Sequence, residues 1–397
     1  MVHLADRAAD TDIPGRTSRR ALVAGALSAL ACYTFWPLVE PPLSVESSIS
    51  VTSPPSVRVG ATFSPVEPMY IGADWRQLYE DVLRLDLDYL RLAVYWNDIE
   101  RRPGELTFTT LDVLLEGATR RRLPVTLTVG LKGPVYPEFH IPAWVLEEVR
   151  LPPFGLITRD RRLCELAHRF TQRAVEALVD ADVIERWQVE NEPFEPILYK
   201  NWWSLDRAFV ERQVDIVRQA DRRGRKIVLT AYVSTHGLLN VGVRLMDHPG
   251  IRHVLQALIG RRKDPALISL ADVVGFDLYP GVGWQMLGVP LYFRAARAAD
   301  YNPLLRWKAA AESAGRETAI MEAQAKPYEP GGAYYLGTGP YRSFAPHELL
   351  PFLHQLVTLG FRDICLWGVE HWAWHRRYGD PSWWQAGVAA LAALRTA

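Results

Sequence analysis

From residue 57 onward, short β-branched or aromatic runs alternate with longer stretches of helical periodicity, eight strand runs in all. No other feature of the chain constrains its fold as strongly. Strands separated by helices pair in parallel through right-handed crossovers. Eight such strands in succession favour a closed (β/α)₈ barrel over an open doubly wound sheet. The apolar patterning predicts strands over 57–63, 89–95, 125–129, 184–189, 226–231, 273–279, 318–323 and 363–367. Helical spacing predicts helices over 75–85, 111–121, 161–179, 205–220, 304–314, 347–359 and 384–394. The fifth helix has the weakest pattern, because Pro249 and Gly250 interrupt the stretch 237–262. After the first strand, Gly60-Ala61-Thr62-Phe63 lacks the spacing of a phosphate-binding fingerprint, which counts against a dinucleotide fold.

The expected class is therefore α/β, a TIM barrel over 57–397, with two segments before it. Residues 1–39 read as a signal peptide or membrane anchor, since Arg19-Arg20 precede an apolar run over 21–39. Within that run Ala29-Leu30-Ala31 matches the small-x-small pattern that signal peptidase cleaves. The whole run also reaches the ~20 residues that span a bilayer. By either route the remainder is exported, secreted or anchored, and the membrane is met only through this segment. Residues 40–56 are rich in Pro and Ser and read as a linker.

Lys plus Arg equals Asp plus Glu at 45 each, so the net charge is zero and no global field draws in nucleic acid. The three cysteines form no disulfide framework and show no zinc spacing. Neither a metal nor a cofactor is expected. Fourteen Trp is a high count, and several follow strand ends, including Trp284, Trp372, Trp374 and Trp383-Trp384. Flat aromatic faces at a barrel mouth suit the C–H faces of sugar rings, although Trp also fills cores.

In a parallel barrel the C-terminal strand ends converge on one mouth, where reactive groups are placed. The second strand carries Arg91 and leads to Trp96. The fourth ends in Trp187-Gln188-Val189-Glu190-Asn191-Glu192-Pro193, the sixth in Asp277-Leu278-Tyr279-Pro280, the seventh in Ile320-Met321-Glu322-Ala323-Gln324 and the eighth in Leu366-Trp367-Gly368. Strands four and seven lie on nearly opposite sides of a small barrel, so Glu192 and Glu322 can approach across the mouth. Cleaving a glycosidic bond needs such a pair, one carboxylic acid to protonate the leaving oxygen and one carboxylate to attack or to activate water. Arg91 and Tyr279 are candidates for keeping Glu322 ionised, and Asn191 for bonding the sugar 2-hydroxyl. Glu190 is a rival to Glu192, one layer deeper. The stretch Glu370-His371-Trp372 with His375 lacks the His-Glu-x-x-His order, so packing or sugar contact outweighs a metal site.

Asn191-Glu192-Pro193 after a strand, a strand-ending Glu322, Arg91, Tyr279 and Trp367 together resemble the retaining glycoside hydrolases of clan A, a cellulase-like branch of the barrel glycosidases. The resemblance covers nearly all of the chain after the linker. It implies Glu192 as acid/base, Glu322 as nucleophile, Asn191 as the 2-hydroxyl ligand, Tyr279 as partner of the nucleophile and Trp367 as part of the −1 subsite floor. Trp96, His236, Trp284, Gln324 and Trp372 complete the expected substrate-binding set. The sequence departs from the family at the end of strand three, where Thr128-Val129-Gly130-Leu131-Lys132 has no His, and the offset of His236 from strand five is irregular. The expected partner is an oligo- or polysaccharide. Transglycosylation uses the same glutamates. A non-catalytic carbohydrate-binding barrel would not need both of them, and a metal-dependent barrel hydrolase would need convergent His and Asp that these strand ends lack.

Overall fold

The computed structural model of the protein describes residues 56–195, 203–235, 264–286, 289–295, 298–330 and 341–395. Eight parallel strands close into a barrel: β1 (Arg58–Thr62), β2 (Tyr89–Ala93), β3 (Val125–Val129), β4 (Ile184–Val189), β5 (Lys226–Tyr232), β6 (Val273–Leu278), β7 (Glu317–Gln324) and β8 (Asp363–Trp367). Each pairs with its neighbour in chain order, and β1 closes on β8 through Gly60 opposite Cys365. The outer ring comprises α1 (Trp75–Val82), α2 (Thr109–Arg121), α3 (Arg161–Leu178), α4 (Arg207–Ala220), α5 (Asp264–Leu270), α6 (Asn302–Ser313), α7 (Leu349–Thr358) and α8 (Ser382–Arg395). Every expected strand therefore forms, with ends that shift by up to two residues. The stretch 237–262, where a fifth helix was sought, lies outside the described residues, as do 1–39 and nearly all of 40–56. Among the described residues no helix is long and apolar enough to cross a membrane.

The strands form because β-branched and aromatic residues suit a pleated, buried surface. The helices begin where the chain offers a cap. Asp74, Asp160 and Asp206 each accept a backbone N–H of the first turn, from Arg76, Leu163 and Phe209 at 2.9 to 3.0 Å. Each such cap contributes roughly 1 kcal/mol.

One irregularity matters for the site. Along β7, Ala319 and Met321 pack with Val228 and Val273 inside the barrel, while Ile320 joins the core beneath the helices. Strict alternation would then turn Glu322 outward. Instead the register with β6 shifts between Ile320, opposite Phe276, and Glu322, opposite Asp277. A bulge of this kind re-aims a side chain at the cost of one unpaired residue. Here it turns Glu322 to the inside directly after Met321.

Candidate active site

Arg91, fully buried on β2, organises the mouth. Its Nη1 donates to Glu322 Oε1 at 2.7 Å, its Nη2 to Asn191 Oδ1 at 2.5 Å and its Nε to Gln188 Oε1 at 2.7 Å. One planar guanidinium thus fixes residues from β4 and β7 together, which its fork of donors permits and a lysine would not. The Tyr279 hydroxyl donates to Glu322 Oε2. Burial, and then the Glu322 carboxylate, push the Tyr279 phenol well above its usual range, so it stays a donor. Glu322 is 2 % exposed, and both its oxygens accept from these donors.

Asn191 Oδ1 also faces Gln188 Nε2 at 3.2 Å and the Thr230 hydroxyl at 3.4 Å. Three donors on one oxygen orient the amide, leaving Nδ2 as the group it can offer a ligand. Glu192 follows on strained backbone: Glu190 and Glu192 both have positive φ, 60° and 43°. For non-glycine residues this costs of order 1–3 kcal/mol each and is characteristic of functional sites. The strain is held by tertiary bonds, with Glu192 N donating to Thr230 Oγ1 at 2.9 Å and Lys132 Nζ donating to the Glu192 carbonyl at 2.7 Å.

The rival glutamate has a different task. Both Glu190 oxygens accept backbone N–H groups, from Leu131 at 2.9 Å and Lys132 at 2.6 Å, tying the end of β3 to the end of β4. Gly130 must be glycine there, because a Cβ would sit 2.3 Å from the Glu190 carboxylate and its φ is +138°.

Glu192 is half-buried, and among the described residues its carboxyl has no such donors. Burial, then Asp277 and Glu322, push it well above the usual carboxyl range. One oxygen from each of Glu192, Asp277 and Glu322 lies within 4.8 Å of the others. Among the described residues this is the one cluster whose atoms are close enough to hold a metal ion. The same closeness makes ionisation of all three costly when no cation is bound.

The structure brings Arg91, Asn191, Glu192, Tyr279, Glu322 and Trp367 together. Trp367 stands edge-on to Tyr279 with ring centroids 5.3 Å apart, and its Nε1 donates to the Pro134 carbonyl. Behind it the Lys326 ammonium lies 3.9 Å from the ring centroid and donates to both Glu67 oxygens.

Three expected ligands belong elsewhere. Trp96 is wholly buried, stacked on Phe170 at 5.2 Å, and donates to Glu100. Trp372 is wholly buried and donates to the Ala325 carbonyl, and Gly387 lets α8 approach it where a Cβ would meet its ring at 2.2 Å. Gln324 is wholly buried, with its amide bonded to Gly281 N and O. Each spends its polar group on the protein, so none is available to a sugar. Trp284 lies on the strand Gly281–Met286, but its side chain is outside the described residues, as is all of His236. His371 and His375 are wholly buried with ring centroids 4.2 Å apart and packed near Tyr341; of the two expected roles, packing or sugar contact, this is packing.

Sequence reasoning missed four residues that shape the site. Lys132 stands where a His was sought and holds the Glu192 loop. Gln188 and Thr230 orient Asn191. The signal for Gln188 was its place two residues before Glu190 on an inward-facing strand. Asp277 was visible at a strand end but had no motif around it.

No sequence-family profile matches this chain, and no curated protein matches it in sequence. Solved structures do match in fold. A GH5_18 enzyme from Streptomyces cattleya in complex with GlcNAc aligns with TM-score 0.54 and 15 % identity, over 87 % of this chain and 82 % of that one. A GH5_18 variant from Streptomyces cattleya in complex with Manb1-4GlcNAc aligns with TM-score 0.50 and 13 % identity, over 79 % and 70 %. A β-galactosidase from the Antarctic haloarchaeon Halorubrum lacusprofundi aligns with TM-score 0.54 and 15 % identity, over 86 % of this chain and 58 % of that one. The chain shares with these carbohydrate-active proteins the closed (β/α)₈ barrel.

Proposed function

We propose that the protein is a retaining glycoside hydrolase that cleaves β-glycosidic bonds of an extracytoplasmic glycan by double displacement. Glu192 is the acid/base and Glu322 the nucleophile. The observation that carries this reading is the pair of carboxyl groups with oxygens within 4.8 Å, one gripped by two donors and the other, among the described residues, by none. Retaining enzymes hold their carboxyl groups about 5 to 5.5 Å apart, whereas inverting enzymes leave ~6.5 Å or more for a water.

In the first step Glu322 attacks the anomeric carbon while the Glu192 O–H bond breaks and its proton passes to the leaving oxygen. The C–O bond to the leaving sugar breaks and a glycosyl ester of Glu322 forms. Water then attacks the same anomeric carbon, its bond to the Glu322 oxygen breaks, Glu322 leaves as a carboxylate, and Glu192, now itself a carboxylate, takes the water proton. The Nδ2 of Asn191 donates to the 2-hydroxyl, a bond that strengthens as the oxocarbenium ion develops. Trp367 gives the ring a flat apolar floor. A setting outside the cytoplasm rests on the charged and apolar pattern of residues 19–39.

The test is a screen of nitrophenyl glycosides and polysaccharides with wild type and Glu322→Ala. Wild type is expected to hydrolyse at least one β-glycoside with retention, read by ¹H NMR of the first product anomer. Glu322→Ala should lower kcat by roughly 10⁴-fold or more. Inverted product, or unchanged hydrolysis in the variant, removes the reading. Sugar in place of water as acceptor would give transglycosylation by the same residues, and product chain length distinguishes the two.

A further inference from the structure

Asp277 is wholly buried at the end of β6, and among the described residues neither of its oxygens has a hydrogen-bond partner in bonding geometry. A buried, unsatisfied carboxylate costs several kcal/mol. From β4 its neighbour is Glu192, from β5 Thr230, from β7 Glu322 and from β2 Arg91, while Tyr279 follows it on its own strand. Glu138 and Lys132 also act electrostatically on Glu192, the first opposing its charge and the second favouring it. Two strong donors beside it, the Arg91 guanidinium and the Tyr279 hydroxyl, already serve Glu322. Among the described residues, of the three carboxyl groups only Glu322 is hydrogen-bonded to a cation, Arg91, and Asp277 and Glu192 have no donor in bonding geometry.

We infer that Asp277 is a positioning residue for the acid, sharing a single proton with Glu192 so that the two carboxyl groups together carry one negative charge. This rests on the hydrolase reading of Glu192 for its consequence but not for its detection. When Glu192 gives its proton to the leaving oxygen, Glu322 becomes a neutral ester, so two negative charges remain on the three carboxyl groups. When water cleaves the ester, its proton returns to the Glu192–Asp277 pair as Glu322 regains its charge. The cluster thus passes through the cycle without a third negative charge.

Two measurements test this. In the pH profile of kcat/KM, the alkaline limb reports loss of the acid proton. Asp277→Asn removes the charge that holds that proton on Glu192, so the limb should move down by at least about one pH unit. A merely structural aspartate would lower kcat/KM without moving the limb. Independently of any substrate, infrared titration should detect a protonated carboxyl persisting well above the ordinary carboxyl range. Its titration should shift downward in Asp277→Asn and equally in Glu192→Gln, which reads the same pair from its other member. A titration unmoved in both variants overturns the inference. So does loss of the shifted titration on adding calcium or magnesium, which would put a cation where the proton is placed. If no glycoside is cleaved but both variants shift the titration, the shared proton stands and the hydrolase reading falls.

Discussion

The carboxyl of Glu322 accepts hydrogen bonds from a guanidinium and a phenol, whereas that of Glu192, across the same mouth, faces two other carboxyl groups. The two side chains are chemically identical and lie within 4.8 Å of each other. What separates them is which atoms the surrounding strands aim at each. Donors stabilise a charge on Glu322; burial and like charges oppose one on Glu192. An acid and a nucleophile at one pH need this asymmetry. Glu190 offers an intermediate case. It has two backbone donors, yet burial outweighs them and its carboxyl is pushed up to about 7.

The comparison can be broken at its Glu192 side. Glu192→Ala should lower kcat/KM by roughly 10²–10⁴-fold for substrates with poor leaving groups. For dinitrophenyl glycosides, which need no acid, the loss should be small, and added azide should raise turnover and yield a glycosyl azide. Equal losses for good and poor leaving groups would show that Glu192 is not the acid. Nucleophile variants should show no such dependence on the leaving group.

Glu190 sharpens the same contrast through stability. Its folded-state pKa of about 7 lies above the ordinary 4.5, so the folded state binds more protons than the unfolded state between those values. Its stabilising contribution is therefore complete below about 4.5 and is lost as pH rises through about 7. The loss amounts to about 3 kcal/mol at most. Glu190→Gln should flatten the dependence of Tm on pH across this window, measured by calorimetry. An unchanged slope would mean that the backbone donors, not burial, set its charge.

The smallest effect tests the donors themselves. Arg91→Lys keeps a positive charge but cannot bond Glu322, Asn191 and Gln188 at once. Activity should fall about 10–100-fold, the loss of one to two charge-assisted bonds. Activity near wild type would mean that charge alone, without the fork, suffices for Glu322.

Much of the barrel was legible because its signal is local. Each strand reads as a short β-branched or aromatic run and each helix as a 3.6-residue period, so all eight strands could be placed from the chain alone. Asn191, Glu192, Arg91, Tyr279 and Trp367 were legible for a similar reason: strand ends of a parallel barrel share one mouth. The tryptophans were not. Trp96 and Trp367 both follow a strand, and only packing tells that the first stacks on Phe170 in the core while the second borders Tyr279. Gln324 sits two residues after Glu322, yet its amide is consumed by the Gly281 backbone, a contact between segments 43 residues apart.

The order of strands, the closure of the sheet and the place of Glu192 and Glu322 at strand ends follow from the sequence by itself, because they depend on periodicity and on position within a repeating unit. The different environments of the two glutamates were decided in three dimensions. A bulge at Met321 turned Glu322 inward, Arg91 reached across from β2 to hold it, and β6 delivered Asp277 to Glu192. Charge and protonation depend on distances between residues remote in the chain, and only the closed barrel sets those distances.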